Sequence, residues 1–222
     1  EAMGVMIFAG FPAVDVLWDG DKVVGVQTGD KGIDHHGNRK ANFEPGILLK
    51  SKITIFGEGV LGHCSRLVTK KLGLDEGCNP WQFETGVKEV IKLPEGKGFP
   101  GYVMHTLGWP FDTETHGGTW VYGLNDDYVS VGLVVSLDYK DPSLDPQYML
   151  QQFKSHPKVA KLLEGGVVEE YGGKALSAGG WYAMQRSYFD GGMFIGESAH
   201  IMNIAALKGV HLAMKSGMLA AE

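Results

Sequence analysis

What most constrains this chain is where its glycines fall: 33 of its 222 residues are glycine, and they come in clusters. Glycine lets a backbone turn tightly and lets another group come close, so such clusters mark bends that shape the chain or face something bound. Two of them follow apolar runs and lead into helical patterns. One is Phe56-Gly57-Glu58-Gly59-Val60-Leu61-Gly62-His63-Cys64-Ser65-Arg66, and the other is Phe194-Ile195-Gly196-Glu197-Ser198-Ala199-His200-Ile201-Met202-Asn203. Strand, tight turn and helix in that order make a unit of an α/β domain, whose ligands sit at the carboxyl ends of the strands.

The surrounding pattern extends this reading. Residues 5–8, 13–18 and 22–28 are β-branched or apolar runs, the last two joined by Asp19-Gly20-Asp21, which has hairpin chemistry. A polar excursion over 30–42 precedes further strand pattern at 46–50 and 52–56, then a helix over 63–72. From 83 to 136 the character changes to β-rich runs at 83–91, 102–107, 119–124 and 128–136, which predict a second, largely antiparallel sheet. Asp145-Pro146 is a helix start, a capping side chain followed by proline, and predicts a helix to about His156 with a short one after Pro157. Residues 193–195 read as a buried strand, and a long helix is expected from near Ile204, with Gly209, Ala213 and Gly217 forming a bare stripe suited to close packing. The expected fold is mixed α/β, divided as 1–80, 81–190 and 191–222, with the last segment returning to the first domain. Residues 1–4 read as a helix tail, and 213–222 stop within a helical pattern, so a piece of a longer protein is expected.

Composition narrows the function. With 44% hydrophobic and 21% charged residues the chain is globular, and its net charge of -6 offers no field for a phosphate backbone, so no nucleic acid is expected. No run reaches the ~18 apolar residues that cross a bilayer. Cys64 and Cys78 are isolated and read as packed thiols.

Three constellations could carry chemistry. At the first bend the early helix amides could face a pyrophosphate, although any strand-to-helix turn favours glycine. At the second, Gly196 lets a ligand approach and Glu197 can accept hydrogen bonds from ribityl or ribose hydroxyls. Amides near Met202 and Asn203 would favour the negative charge of a reduced isoalloxazine. The alternative is that Glu197 caps a helix and His200 packs. The third is His105-Thr106-Leu107-Gly108-Trp109-Pro110 with Thr115-His116-Gly117-Gly118-Thr119-Trp120, where paired glycines expose backbone to a flat ligand or simply turn a hairpin.

HTLGWPFD (105–112), VGLVVSLDY (131–139), LEGG (163–166), KGVHLAMKSGMLAAE (208–222) and KITIFGEG (52–59) together resemble the electron transfer flavoprotein-ubiquinone oxidoreductase family, in order along essentially the whole chain. The resemblance implies part of a Rossmann-like FAD-binding domain interleaved with an antiparallel β-sheet ubiquinone-binding domain. It also implies an enzyme that passes electrons from reduced electron transfer flavoprotein to ubiquinone in a mitochondrial inner or bacterial cytoplasmic membrane. By resemblance Ala13, Gly57, Glu58, Gly59, Gly196, Glu197, Met202 and Asn203 bind FAD, and Gly117 and Gly118 face the quinone. The dinucleotide fingerprint and the [4Fe–4S] domain of the family lie outside this segment. Two departures stand out: Gly196 to His200 replace a version with cysteine or aspartate, and His116 stands where tyrosine is common. A related flavoprotein reductase of the FixC or geranylgeranyl reductase kind, and a non-catalytic quinone- or isoprenoid-binding module, are the alternatives.

Overall fold

A computed structural model describes residues 4–222 and divides the chain into two compact units, residues 1–79 with 180–222, and residues 80–179. The expected helix tail over 1–4 falls, apart from Gly4, outside the described residues.

In the first unit β1 (Ala13–Asp19) and β2 (Lys22–Thr28) form the expected hairpin, and β2 also pairs with β5 (Leu48–Lys50). The polar excursion folds into a second hairpin, β3 (Lys31–Ile33) with β4 (Arg39–Glu44). Its turn is set by the Asp34 carboxylate, which accepts the amides of His36 and Asn38. Residues 5–8, expected as a strand, are irregular and exposed. A short strand, β6 (Thr54–Phe56), leads through the first glycine bend to α1 (His63–Leu72). This helix buries Cys64, Ser65, Val68 and Thr69 along one stripe and stops at Gly73, whose left-handed backbone passes its amide to the Thr69 carbonyl.

The second unit is one five-stranded antiparallel sheet with two helices. Its strands are β7 (Phe83–Lys92), β8 (Val103–Leu107), β9 (Gly117–Gly123) and β10 (Tyr128–Ser136), followed by α2 (Pro146–Ser155), α3 (Pro157–Leu162) and β11 (Val167–Ser177). The order across the sheet is β11-β7-β10-β9-β8. Alternation sends Val129, Val131, Leu133 and Val135 of β10 to one face, where Leu150, Phe153 and Val159 of the helices complete the core. Asp145 caps α2 by accepting the amides of Gln147 and Tyr148. Glu89 on β7 holds α2 down. Its buried carboxylate accepts from Gln147, Gln151 and Lys154, the last at 2.5 Å. Burial pushes this carboxyl up, and the three donors outweigh burial and bring it below its ordinary value.

The chain returns to the first unit at Gly180, ahead of the expected residue 191, because 180–190 hydrogen-bonds there: Arg186 donates its amide to the Leu74 carbonyl, and Gln185 accepts from Thr69. The amide of Asn79 and the carbonyl of Tyr182, flanking the inserted unit, are 2.7 Å apart. Next come β12 (Tyr188–Phe189), β13 (Gly192–Phe194) and α4 (Val210–Ala221). The expected helix start near Ile204 is not seen. Residues 203–208 close a turn instead, with backbone hydrogen bonds in both directions between Asn203 and Lys208.

Candidate functional site

The two glycine bends, 139 residues apart in sequence, meet in the first unit. Strand β13 pairs in parallel with β6, Phe194 beside Phe56, and the Ile195 amide donates to the Phe56 carbonyl at 3.0 Å. The carboxyl ends of two parallel neighbours therefore open side by side into Gly57 and Gly196, where a crevice ligand of an α/β sheet is held. A side chain at Gly57 would touch Ile195 at 3.5 Å, and Gly196 has a left-handed backbone with its amide bonded to Ser216 Oγ at 2.9 Å. Ser198 Oγ donates to the Gly59 carbonyl at 3.2 Å, tying one bend to the other. Gly59, also left-handed, has open space where its side chain would be.

Two expectations change at this site. Glu58 turns inward and accepts the amides of Cys64 and Ser65 at 3.1 and 2.7 Å. Those amides of α1 are thus filled by the protein's own carboxylate and are not open to a pyrophosphate, because Glu58 reaches them from the turn just before the helix. The amide of Asn203 is bonded to Lys208 and its Oδ1 accepts from Ala206, so Met202 and Asn203 lie in a closed turn and not at a helix start. Glu197 Oε1 lies 3.3 Å from where a side chain at Gly209, the residue before α4, would begin. Ala13 opens β1 opposite Thr28 and packs on the core of this unit.

Two buried groups beside the bends are held uncharged. Burial, and after it the Arg66 cation, pull the His200 imidazole down to about 4, so it is neutral at physiological pH. Burial and then the Glu58 charge push the Cys64 thiol up to about 12, which makes it a packing group and not a nucleophile.

In the second unit the glycine pair splits. On β9, Gly117 points to the core side, where a side chain would meet the Phe111 ring at 2.7 Å, while Gly118 points to the opposite, open face. The register puts Leu107 and Val134 on either side of Gly118, with Trp120 and Tyr122 following on the same face. Trp120 lies across Gly132, where a side chain would collide with the indole, and donates Nε1 to Ser130 Oγ at 3.3 Å. Tyr122 Oη and His105 Nε2 are 2.8 Å apart. The face is thus an aromatic floor beside a bare stretch of backbone. Sequence reasoning singled out His105 and Trp120 but left Tyr122 aside; the period of two in GGTWVY carries the signal. His116 flanks the glycines, its Nε2 3.6 Å from Oε1 of Glu84. Burial raises the Glu84 carboxyl above its ordinary value, and His116 partly opposes the shift. On the core side an open cleft of about 420 Å³ lies against Glu89, Gln147 and Tyr171, away from Gly118.

The mixed fold recurs in solved flavoproteins and reductases. A geranylgeranyl bacteriochlorophyll reductase-like protein of Thermoplasma acidophilum superposes with a TM-score of 0.70 over 95% of this chain and 47% of its own, at 19% identity. A flavoprotein/dehydrogenase of Cytophaga hutchinsonii gives 0.57 over 94% of this chain and 47% of its own, at 17% identity. These show the fold alone. Residues 83–176 match the family model for the ubiquinone-binding part of electron transfer flavoprotein-ubiquinone oxidoreductase. The mitochondrial electron transfer flavoprotein-ubiquinone oxidoreductase of Arabidopsis thaliana is 46% identical over 225 aligned residues, covering 100% of this chain and 36% of the relative. The chain belongs to the electron transfer flavoprotein-ubiquinone oxidoreductase family, and it spans about a third of the length of the curated relatives it matches.

Proposed function

We propose that this chain is the flavin- and quinone-binding segment of an enzyme that passes electrons from reduced electron transfer flavoprotein to ubiquinone. The observation that carries the reading is the match over 83–176 falling on a sheet with one open face, on which Gly118 is bare beside Leu107 and Trp120. A quinone ring is flat and apolar with an oxygen at each end, which suits an aromatic floor with exposed backbone.

For FAD the donor set partly fits. Gly57, Gly59 and Gly196 leave backbone bare at the meeting of two parallel strand ends, while Glu58 occupies the first amides of α1. The flavin would lie along the bends, with Gly57, Gly59, Gly196 and Glu197 nearest, and Ala13, Met202 and Asn203 at its margins. When bound, it would take up electrons from the partner flavoprotein and release them to the quinone. A [4Fe–4S] cluster and membrane contact belong, in this proposal, to parts of the enzyme outside this segment, at a mitochondrial inner or bacterial cytoplasmic membrane. No helix among the described residues is long and apolar enough to cross a membrane.

Gly118→Val is a poor probe of the quinone face, since its added carbon would sit 2.9 Å from the Thr106 carbonyl oxygen and strain the β8–β9 pair. Leu107 is better placed: it is opposite Gly118 and 80% exposed. In the full-length flavin-loaded enzyme, Leu107→Asp is expected to lower turnover of a short-chain ubiquinone at least tenfold with flavin content unchanged. Parent-like quinone turnover in that variant would remove the open face from the proposal.

A further inference from the structure

We propose that His105 donates a proton to the quinone reduced against the open face of the antiparallel sheet, and that Tyr122 positions its imidazole. The inference rests on the quinone reading above and goes beyond it by assigning the proton.

Reducing a quinone to a quinol takes two electrons and two protons, and an apolar floor supplies neither. The flavin of the proposed activity supplies the electrons. Across the strands and after it, Gly118 is bordered on the open face by Leu107, Val134 and Trp120, none of which titrates, while His116 before it is engaged by Glu84 at 3.6 Å. His105 is directly opposite Trp120 on β8, one step along the face from Leu107, and so diagonal to Gly118. An imidazole takes up and gives back a proton near neutral pH, and β8 is the edge strand with His105 exposed on it, so solvent can recharge it.

The other titratable groups on this face are Tyr122 on β9 and His116 just before it, Tyr128 on β10, Glu84, Lys88 and Lys92 on β7, and Glu169, Glu170 and Lys174 on β11; His116 is turned to Glu84 at 3.6 Å, and Glu169 to Tyr128 and Lys92. Strands β7 and β11 are three and four places from β8, roughly 14 Å or more away at ~4.8 Å per strand. Tyr122 is within reach, its hydroxyl 2.8 Å from His105 Nε2. Burial raises the Tyr122 phenol above its ordinary value, so it keeps its proton and acts by holding the ring. Its own place is fixed by Trp120, 6.1 Å away between ring centres, which is in turn pinned to Ser130.

The step balances as follows. The two electrons would come from the flavin that the enzyme holds when loaded. An N–H bond of the His105 imidazolium breaks as an O–H bond forms on the nearer quinone oxygen, and water protonates the farther one. The neutral imidazole then regains a proton from solvent.

The test uses the full-length flavin-loaded enzyme with reduced electron transfer flavoprotein and two acceptors, a short-chain ubiquinone and ferricyanide, which takes electrons without protons. For His105→Gln, quinone kcat is expected to fall tenfold or more with KM within about twofold, with ferricyanide reduction at the parent rate. The solvent deuterium isotope effect on quinone turnover should rise. His105→Ala should behave alike and recover part of its rate with added imidazole, and Tyr122→Phe should lose about threefold. Quinone turnover within twofold of the parent in both His105 variants, or an equal loss with both acceptors, overturns the assignment while the quinone reading stands. A parent enzyme that reduces ferricyanide but not ubiquinone overturns the quinone reading and the assignment with it.

Discussion

The two units bury their apolar residues on different terms. In the second, Val121, Val129, Val131, Leu133, Val135 and Leu150 are all at 0% exposure, sealed by helices from the same stretch of chain. In the first, α4 buries no residue, with Val210 and Met214 at 73% and 65% exposure, and Ile55 within β6 and Ile53 just before it are exposed. Hydrophobic burial is the main favourable term in folding. The contrast therefore says that the antiparallel unit carries its own stability, while the unit holding the glycine bends has apolar surface left over.

Removing atoms from the sealed core tests this most directly. Leu133→Ala should cost about 3 kcal/mol, the range for a fully buried leucine, seen as a lower urea midpoint of the chain. A cost below about 1 kcal/mol would break the comparison, since the core would then be loose. Acid should act on the other unit. The unfolded His200 takes up a proton near 6.5, whereas the folded one does so only at about 4. Its contribution is complete above pH 6.5 and is lost as pH falls from there through about 4, a swing on the order of 3 kcal/mol. His200→Asn, which tolerates the left-handed backbone at that position, should flatten this dependence between pH 7 and 5. An unchanged slope would show that His200 is already charged when folded. The smallest effect is expected at α4, where Met214→Ala should move stability by no more than about 0.5 kcal/mol. A larger loss would mean that this helix packs against something in solution, and the contrast between the units would narrow.

Much of the fold was legible because its signals are local. The β1–β2 hairpin has an alternating pattern around Gly20, α1 has an apolar stripe and a glycine stop, and α2 announces itself through Asp145-Pro146. Strand β11 was missed because its residues 167–174 are exposed at a sheet edge, and the glycines at 172 and 173 break any alternation. The 5–8 run has the composition of a strand, yet it pairs with none here. The start of α4 was misplaced because the apolar residues of 204–207 look helical, while Asn203 and Lys208 close the chain into a turn first. At the candidate site, the meeting of the two bends followed from the α/β pattern. The inward turn of Glu58 did not, because a carboxylate beside a helix start serves equally well as a cap or as a ligand group, and only geometry separates the two.

The hydrogen bond between Asn79 and Tyr182 has a consequence for how such a molecule can be built and altered. The hundred residues of the inserted unit, 80–179, leave and rejoin the first unit at points joined by this one backbone hydrogen bond. Once folded, this insert spans the gap as a short covalent bridge would, and its length adds nothing further to the entropy of closing the discontinuous unit. Replacing it by a few flexible residues should therefore leave the framework around β6 and β13 able to close, and an insert of another size could occupy the same two points without redesign of the host.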